Sequence, residues 1–434
     1  MELRVPGDKS ISQRALILAS LAEGKSRLRG LLSGGDPAST AGALRGLGVP
    51  IPSLDVPSSE VTFHGMGLRG LKEPEGPLDV ENSGTGARLL LGVLSGQPLE
   101  AVITGDESLR RRPMARITEP LTNMGARFEA LVEEGRLPIR VRGGILNDFS
   151  YRLPVASAQL KSSLLLAGLV GGVEVSLVEP GRSRDHTERV LAGLGISVIS
   201  ESRGDGWGVT LTDPPSALPP LDLLIPGDFS SAAFFIVLGL MRAGPDTLVI
   251  RDVGLNSTRT GLLPVLGRMG ARISTETSGD GEEGEISGDL VVEPSELVAC
   301  EVGLDEIPGL IDEVPILAAA AALAQGRSRI TGAHELRVKE TDRIKAMVES
   351  LRSIGVEVEE LEDGMEIEGT DRPLRGRVQS YGDHRIAMAF GVLGALPGNE
   401  IFIEGRDVAG VSFPGFWELL ARVTSDSDKG GSTK

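Results

Sequence analysis

Six stretches of the chain repeat one pattern of polar and apolar positions. Each opens on a turn of small polar residues, continues as a run that is apolar on nearly every side, and ends at glycine, as in "PGDKSISQRALILASLAEG". The pattern predicts six helices, and helices that are apolar all round must be buried. The stretches begin at residues 6, 81, 154, 226, 308 and 381.

Short alternating runs such as "EAVITG" and "VEVSLVE" follow the apolar helices and predict β-strands. Most copies then add a second helix that ends at glycine before another strand, as in "RITEPLTNMGARFEA" and "RTGLLPVLGRMGARIS". The repeat of about 75 residues is longer than the common solenoid periods. We therefore predict an α/β protein of two domains, each built from three βαβαββ-like units with helices inside and sheets outside.

Composition narrows the functional classes. With 434 residues, 40% of them hydrophobic, the chain can bury more than one core. A formal charge of -17 with only 3% aromatic residues argues against a nucleic-acid partner, and the sequence has no long apolar span for a membrane. The single cysteine, Cys300, excludes an internal disulfide and a multi-cysteine metal site, so we expect a cytoplasmic protein without a metal.

The polar turns carry more charge than helix capping needs. Lys9 and Arg14 are predicted in the first turns of a helix, where the helix dipole disfavours cations unless an anion lies close by. This density of cations near turns and helix starts indicates binding of two phosphates and a carboxylate. The six cations are Lys9, Arg14, Arg112, Lys339, Arg343 and Arg385.

One further segment, "HELRVKETDRIKAM" at residue 334, combines both signs of charge. Lys339 and Arg343 are four residues apart, which predicts one shared helical face with Glu340 beside it. A solvated, salt-bridged helix surface is the alternative interpretation. We expect Asp312, which heads an apolar helix, to meet this cluster. The copy at residue 226, "PGDFSSAAFF", has no cation, and its turn is expected to act only as a cap.

Seven motifs in this order resemble the family of 5-enolpyruvylshikimate-3-phosphate synthases over nearly the whole chain. They are "GDKSISQRALILA", "NSGTGARLLLG", "LRRRPM", "SAQLKSSLLLAGL", "SRDHTE", "RVKETDRI" and "GDHRIAMAF". The resemblance implies transfer of the enolpyruvyl group of phosphoenolpyruvate to the 5-hydroxyl of shikimate 3-phosphate, without a cofactor. It also implies the enolpyruvyl transferase fold, an inside-out α/β barrel, and we expect a monomer. Its expected domains are residues 1–8 with 226–425, and 9–225, followed by a disordered tail at 426–434.

The resemblance also implies the substrate contacts, residue by residue. The residues that match shikimate-3-phosphate contacts are Lys9, Ser10, Arg14, Ser157, Ala158, Gln159, Arg184, Asp312 and Lys339. Those that match phosphoenolpyruvate contacts are Lys9, Gly84, Arg112, Gln159, Arg343 and Arg385.

The resemblance assigns the chemistry to three residues. Asp312 would accept the proton of the 5-hydroxyl, while Glu340 and Lys9 would move protons at the methylene carbon. Further candidates for the site are Asn82, Thr85 and His384. The family is also the target of glyphosate, which implies that glyphosate competes here with phosphoenolpyruvate.

The sequence departs from the family pattern at a few positions. Val411 and Ser412 stand where many members have a lysine before "FP", Ala158 replaces a serine, and Glu335 replaces an asparagine. A related transferase that acts on a UDP-sugar has a cysteine in the loop before its Arg-Pro pair, and "GDESLRRRP" has none. A non-catalytic clamp would need a basic lumen, which this acidic chain does not favour.

Overall fold

The computed structural model describes residues 1–54, 59–204, 206–242, 246–278 and 284–429. The strands are β1 Glu2–Arg4, β2 Lys25–Arg29, β3 Glu60–His64, β4 Leu78–Asp79, β5 Glu100–Thr104, β6 Arg127–Ala130, β7 Ile139–Arg142, β8 Phe149–Arg152, β9 Val175–Glu179, β10 Val198–Arg203, β11 Gly206–Leu211, β12 Asp222–Leu224, β13 Leu248–Gly254, β14 Arg272–Ser278, β15 Ser287–Glu293, β16 Glu301–Val302, β17 Arg327–Ile330, β18 Glu357–Leu361, β19 Gly364–Glu368, β20 Arg375–Gln379 and β21 Glu400–Glu404.

The helices alternate with these strands along the chain. They are α1 Lys9–Leu21, α2 Gly35–Gly46, α3 Gly84–Ser95, α4 Glu107–Arg110, α5 Ala115–Met124, α6 Ala158–Gly171, α7 His186–Gly193, α8 Phe229–Met241, α9 Leu262–Arg268, α10 Ile307–Leu310, α11 Val314–Ala321, α12 Arg343–Ser353, α13 His384–Gly394 and α14 Phe416–Lys429. Two 3₁₀ segments span His334–Val338 and Arg406–Val411.

The chain divides into two compact units. The first unit contains Met1–Pro6, Pro226–Asp280 and Ile286–Lys434, and the second contains Gly7–Ile225 with Gly281–Glu285. The division after Pro6 falls two residues before the expected boundary at 8.

Within the described residues, each unit contains three sheets, as the repeat predicts. Four of these six sheets share one arrangement, in which the first two strands are parallel and all later neighbours are antiparallel. Their strand orders are β4-β5-β7-β6, β8-β9-β11-β10, β16-β17-β19-β18 and β1-β13-β15-β14. In the first three of these sheets, a helical connection between consecutive strands accounts for the parallel pair. The predicted α/β fold of repeated units is confirmed, but the described strands form separate open sheets instead of a closed barrel.

Two strands belong to a different unit from the helix that follows them in the sequence. β1 precedes α1, yet it pairs in parallel with β13 of the first unit, where Glu2 lies opposite Val249. β12 precedes α8, yet it pairs in parallel with β2 of the second unit, where Asp222 lies opposite Arg27. Each unit therefore completes one of its sheets with a strand that lies just before the chain passes into the other unit.

Apolar helices fill the core of each unit. In α8 every residue from Phe229 to Leu240 is buried, and all eight residues of α11 are buried as well. The second unit buries the corresponding runs of α1, α3 and α6. Because few side chains of these helices are exposed, their N-terminal ends are where polar groups can reach a ligand.

The last helix extends beyond the sequence-based expectation. α14 continues to Lys429, four residues into the stretch that was expected to be a disordered tail, and residues 430–434 lie outside the described part. The hydroxyl of Thr424 donates to the carbonyl of Leu420 at 3.1 Å, and the helix continues past Thr424. No described helix is long and apolar enough to cross a membrane.

Candidate active site

The start of α1 brings Lys9 next to a carboxylate. Asp8 caps the helix, since its Oδ1 accepts the backbone N–H of Ile11 at 2.8 Å, and Lys9 is the first helical residue, as predicted. The Lys9 ammonium lies 3.0 Å from the carboxylate of Asp36 at the start of α2. An anion therefore does accompany Lys9 at this helix start, and the protein itself supplies it.

Arg14, one turn further along α1, is almost completely buried. Its Nε donates to the hydroxyl of Thr187 at 2.8 Å and its Nη2 to the hydroxyl of Ser162 at 2.9 Å, while Nη1 reaches the carbonyl of Ser10 at 3.1 Å. Burial lowers the pKa of the Arg14 guanidinium below its ordinary value. Arg14 thus fixes α1 to the starts of α6 and α7.

Two arginines lie at the start of α3. Arg112 Nη2 donates to Oδ1 of Asn82 at 2.7 Å, and Asn82 in turn donates to Asp106 at 2.6 Å. A Cβ on Gly84, the first residue of α3, would lie 2.9 Å from Nη1 of Arg88 and 3.2 Å from Nη1 of Arg112. The missing side chain of Gly84 therefore gives room to both guanidinium groups.

Gln159 connects α6 to α3. Its Oε1 accepts Arg88 Nη1 at 2.7 Å, and its Nε2 donates to the hydroxyl of Thr85 at 2.9 Å. Ser157 caps α6 through its hydroxyl, which accepts the N–H of Leu160 at 3.4 Å. Most predicted residues of the second unit thus lie at the N-terminal ends of α1, α3 and α6, while Arg112 follows α4 and Arg184 lies in the loop before α7.

In the first unit, cations from three segments meet at Asp312. Its Oδ1 lies 3.7 Å from Lys339 Nζ and 3.4 Å from Arg343 Nη1. Its backbone carbonyl accepts Arg385 Nη1 at 2.9 Å. The prediction that Asp312 converges with the later basic cluster is confirmed.

The helical part of that prediction was wrong. α12 begins at Arg343, with Asp342 as its cap, so Lys339 does not share a helical face with Arg343. Asp342 accepts the N–H of Lys345 at 3.1 Å, which fixes the helix start, and Lys339 has an extended backbone. Lys339 reaches Asp312 from this extended segment.

Arg343 is surrounded by carboxylates although only 1% of it is exposed. Its Nε donates to Asp383 at 2.7 Å and its Nη2 to Glu340 at 2.6 Å. Burial by itself would lower the pKa of Arg343, but the charges of Asp383, Glu340 and Asp312 raise it. Arg343 is therefore permanently charged and held in one orientation.

The start of α13 carries two of the predicted residues, Arg385 and His384. Asp383 caps the helix by accepting the N–H of Arg385 at 2.8 Å, and His384 is its first residue, only 4% exposed. Burial by itself would raise the pKa of Asp383, but the charge and the hydrogen bond of Arg343, together with the charge of His384, lower it.

The prediction for the copy at residue 226 was incomplete. Asp228 does cap α8, because it accepts the N–H of Ser230 at 2.7 Å. The same carboxylate lies 3.6 Å from Arg259, a cation that the sequence analysis did not select. Arg259 is also 3.7 Å from the buried carboxylate of Glu313, which lies 3.7 Å from Arg385. A network of charged side chains thus extends from the turn at Asp228 to Glu313, the residue that follows Asp312.

Asp36 was also missed, although the sequence held a signal for it. The stretch "SGGDPAS" combines a glycine pair, an acidic residue and proline, a pattern typical of a helix start after a strand.

Among the described residues, no group of three or more histidine, cysteine or acidic side chains is arranged to hold a metal ion.

The paired charges of the first unit suit proton transfer beside a bound anion. A carboxylate between an ammonium and a guanidinium can accept a proton from a hydroxyl, and the cations can bind phosphate or carboxylate groups. The arginines and Lys9 of the second unit can bind further anionic groups.

Comparison with known proteins agrees with this chemistry. A relative from Desulfitobacterium hafniense, a 3-phosphoshikimate 1-carboxyvinyltransferase, is 46% identical over 97% of this chain and 95% of its own. The solved EPSP synthase of Acinetobacter baumannii is 41% identical, with a TM-score of 0.84 over 97% of this chain and 95% of its own. The enolpyruvyl transferase NikO from Streptomyces tendae has the same fold, with a TM-score of 0.74 at 17% identity, over 97% of this chain and 94% of its own. Residues 1–420 match the family model of EPSP synthase (3-phosphoshikimate 1-carboxyvinyltransferase), and the chain belongs to that family.

Proposed function

We propose that this protein transfers the enolpyruvyl group of phosphoenolpyruvate to the 5-hydroxyl of shikimate 3-phosphate and releases phosphate. Membership of the family supports the reaction. The observation that carries it is the meeting of Lys339 and Arg343 at the Asp312 carboxylate, within 3.7 and 3.4 Å. This arrangement provides a base for a hydroxyl group next to cations for a phosphate.

Atoms balance with the groups available. A proton added to the methylene carbon of phosphoenolpyruvate makes C2 electrophilic, and the 5-oxygen attacks C2 as Asp312 takes its proton. The resulting tetrahedral intermediate breaks its C2–O bond to phosphate and loses a proton from the new methyl group, which restores the double bond. Glu340 and Lys9 supply and remove the protons at that carbon.

Binding of shikimate 3-phosphate falls to residues with hydroxyl, amide and cationic groups. Of these, Arg14 is already held by Ser162 and Thr187, so it orients the surrounding helix starts as well as adding positive charge. The proposed contacts are Lys9, Ser10, Arg14, Ser157, Ala158, Gln159, Arg184, Asp312 and Lys339.

Binding of phosphoenolpyruvate falls mainly to arginines, which can grip phosphate and carboxylate oxygens in pairs. Gly84 leaves space beside Arg112, as its contacts indicate. The proposed contacts are Lys9, Gly84, Arg112, Gln159, Arg343 and Arg385, with Asn82, Thr85 and His384 close to them. We further propose that glyphosate competes for these residues.

A phosphate-release assay tests the function. Purified protein is mixed with both substrates, with each substrate alone, and with phosphoenolpyruvate plus unphosphorylated shikimate. We expect rapid release only with the complete pair. Equal release from phosphoenolpyruvate alone would contradict the proposal, because it would indicate a phosphatase.

A further inference from the structure

A buried cluster of one lysine and two glutamates lies beneath the helix starts of the second unit. Lys161 of α6 is 1% exposed, and its ammonium lies 2.8 Å from the carboxylates of both Glu179 and Glu188. Glu179 ends β9, and Glu188 belongs to the first turn of α7. None of these three residues is part of the proposed substrate contacts.

The cluster holds the backbone of Ser183 from both sides. Lys161 Nζ donates to the Ser183 carbonyl at 3.3 Å, while Glu179 Oε1 accepts the Ser183 N–H at 3.0 Å. Ser183 directly precedes Arg184, a proposed contact of the shikimate phosphate. Lys161 itself lies in the first turn of α6, the helix that Ser157 caps. One side chain thus ties the loop of Arg184 to the start of α6.

A purely structural role does not account for these charges. Burying charged groups is costly, and well-packed apolar residues usually stabilise a core as well as a buried ion pair does. The rest of α6 is filled with small and apolar residues, from Leu164 to Val170. Burial also raises the pKa of Glu188 above its ordinary value, against the attraction of Lys161.

The residues next to Lys161 and Glu188 form a second set of contacts, the Arg14 layer, between α6 and α7. Ser162, next to Lys161, accepts hydrogen bonds from Arg14 at 2.9 Å and from the hydroxyl of Thr187 at 2.7 Å. Thr187 itself is next to Glu188. The ion cluster and the Arg14 layer therefore bind the same two helix starts, those of α6 and α7.

We propose that Lys161 is a positioning residue for shikimate 3-phosphate: together with Glu179 and Glu188 it fixes the Arg184 loop against Ser157 and Gln159. The inference rests on the proposed function. A loop displaced by about 1 Å would misalign its guanidinium and weaken binding of the phosphate. Arg112, a proposed contact of phosphoenolpyruvate alone, is held by Asn82 and Ser108 and is expected to keep its geometry.

A neutral triple variant, Lys161→Met with Glu179→Gln and Glu188→Gln, tests the proposal without leaving an unpaired buried charge. We expect the KM for shikimate 3-phosphate to rise roughly tenfold, with kcat and the KM for phosphoenolpyruvate changed less than about threefold. Calorimetric titration with shikimate 3-phosphate alone should show the same weakening. Lys345→Met, which removes an exposed lysine 3.8 Å from Glu349, is the matched control and should change neither KM.

Glu188→Gln is the second variant, since it keeps the pair of Lys161 and Glu179 and removes one surplus carboxylate. We expect it to fold and to raise the KM for shikimate 3-phosphate by about threefold. An unchanged KM in this variant and in any folded triple variant, even with a lower melting temperature, would overturn the positioning role. An inactive wild-type protein would instead contradict the proposed function, so the two failures are distinguishable.

Discussion

Arg343 and Asp383 form an ion pair that is almost completely buried, with 2.7 Å between Nε and Oδ2. Asp383 at the same time caps α13, on which Arg385 lies. This pair therefore fixes the orientation of one proposed phosphoenolpyruvate contact and the helix start that carries another.

The pair predicts a dependence of stability on acid. Because Arg343 lowers the pKa of Asp383 in the folded protein, ionised Asp383 stabilises the fold above about pH 4, and this stabilisation is lost as the pH falls further. Asp383→Asn should lower the free energy of unfolding at pH 7 by about 3 kcal/mol. The difference from wild type should shrink in denaturant titrations below about pH 4. A difference that stays constant down to pH 2 would contradict the assignment.

Asp312→Ala should nearly stop the chemistry while leaving shikimate 3-phosphate bound. A proton acceptor of this kind contributes roughly 10²- to 10⁴-fold to the rate, so we expect kcat to fall by that factor. Phosphate release measures the rate, and calorimetric titration measures binding. The exposed residue Asp305 of the same unit gives the control, Asp305→Ala. Normal turnover with lost binding would reverse the role given to Asp312.

Lys9→Met should abolish turnover in a folded protein. The ammonium lies 3.0 Å from Asp36, and we propose that the substrates' anionic groups draw it into contact with both of them. The variant is checked by circular dichroism and then by phosphate release. Lys25→Met removes an exposed lysine of β2 and should retain full activity. Substantial activity in folded Lys9→Met would exclude Lys9 from the chemistry.

Gly84→Ala should weaken glyphosate more than phosphoenolpyruvate. The added methyl group would lie 2.9 Å from Nη1 of Arg88 and 3.2 Å from that of Arg112, so the two guanidinium groups must shift. Such a shift reduces the space for glyphosate, which is slightly longer than phosphoenolpyruvate. Because Val411 stands where many members have a lysine, we expect wild-type inhibition to be moderate.

Inhibition constants against phosphoenolpyruvate measure this effect. Gly76→Ala is the control, because a Cβ there meets no atom within 4 Å. Equal losses for glyphosate and phosphoenolpyruvate would show that the steric explanation is wrong.

The sequence predicted the repeated fold because its apolar helices recur with glycine at their ends. It also predicted the approach of Lys339 and Arg343 to Asp312. It did not predict that Lys339 lies outside α12, since the capping strength of Asp342 competes with a helical pattern that continues on both sides of it.

Contacts between distant segments were the other part that the sequence did not predict. Arg259 finds Asp228 and Glu313 across gaps of many residues, and no local spacing signals such partners. In the sequence, Lys161 is an isolated cation in an apolar run. Only the fold brings Glu179 of β9 and Glu188 of α7 next to it. A count of cations indicated anionic substrates, but it did not indicate how many carboxylates accompany them.

We propose that the three-carbon skeleton of the enolpyruvyl group is transferred to one hydroxyl of shikimate 3-phosphate, that on C5. Incubation of the protein with shikimate 3-phosphate and phosphoenolpyruvate labelled with ¹³C at C2, followed by ¹³C NMR, identifies the product directly. We predict an enol ether whose labelled carbon couples to the proton on C5 of the ring. Labelled pyruvate with unchanged shikimate 3-phosphate, or an ether at another hydroxyl, would contradict the claim.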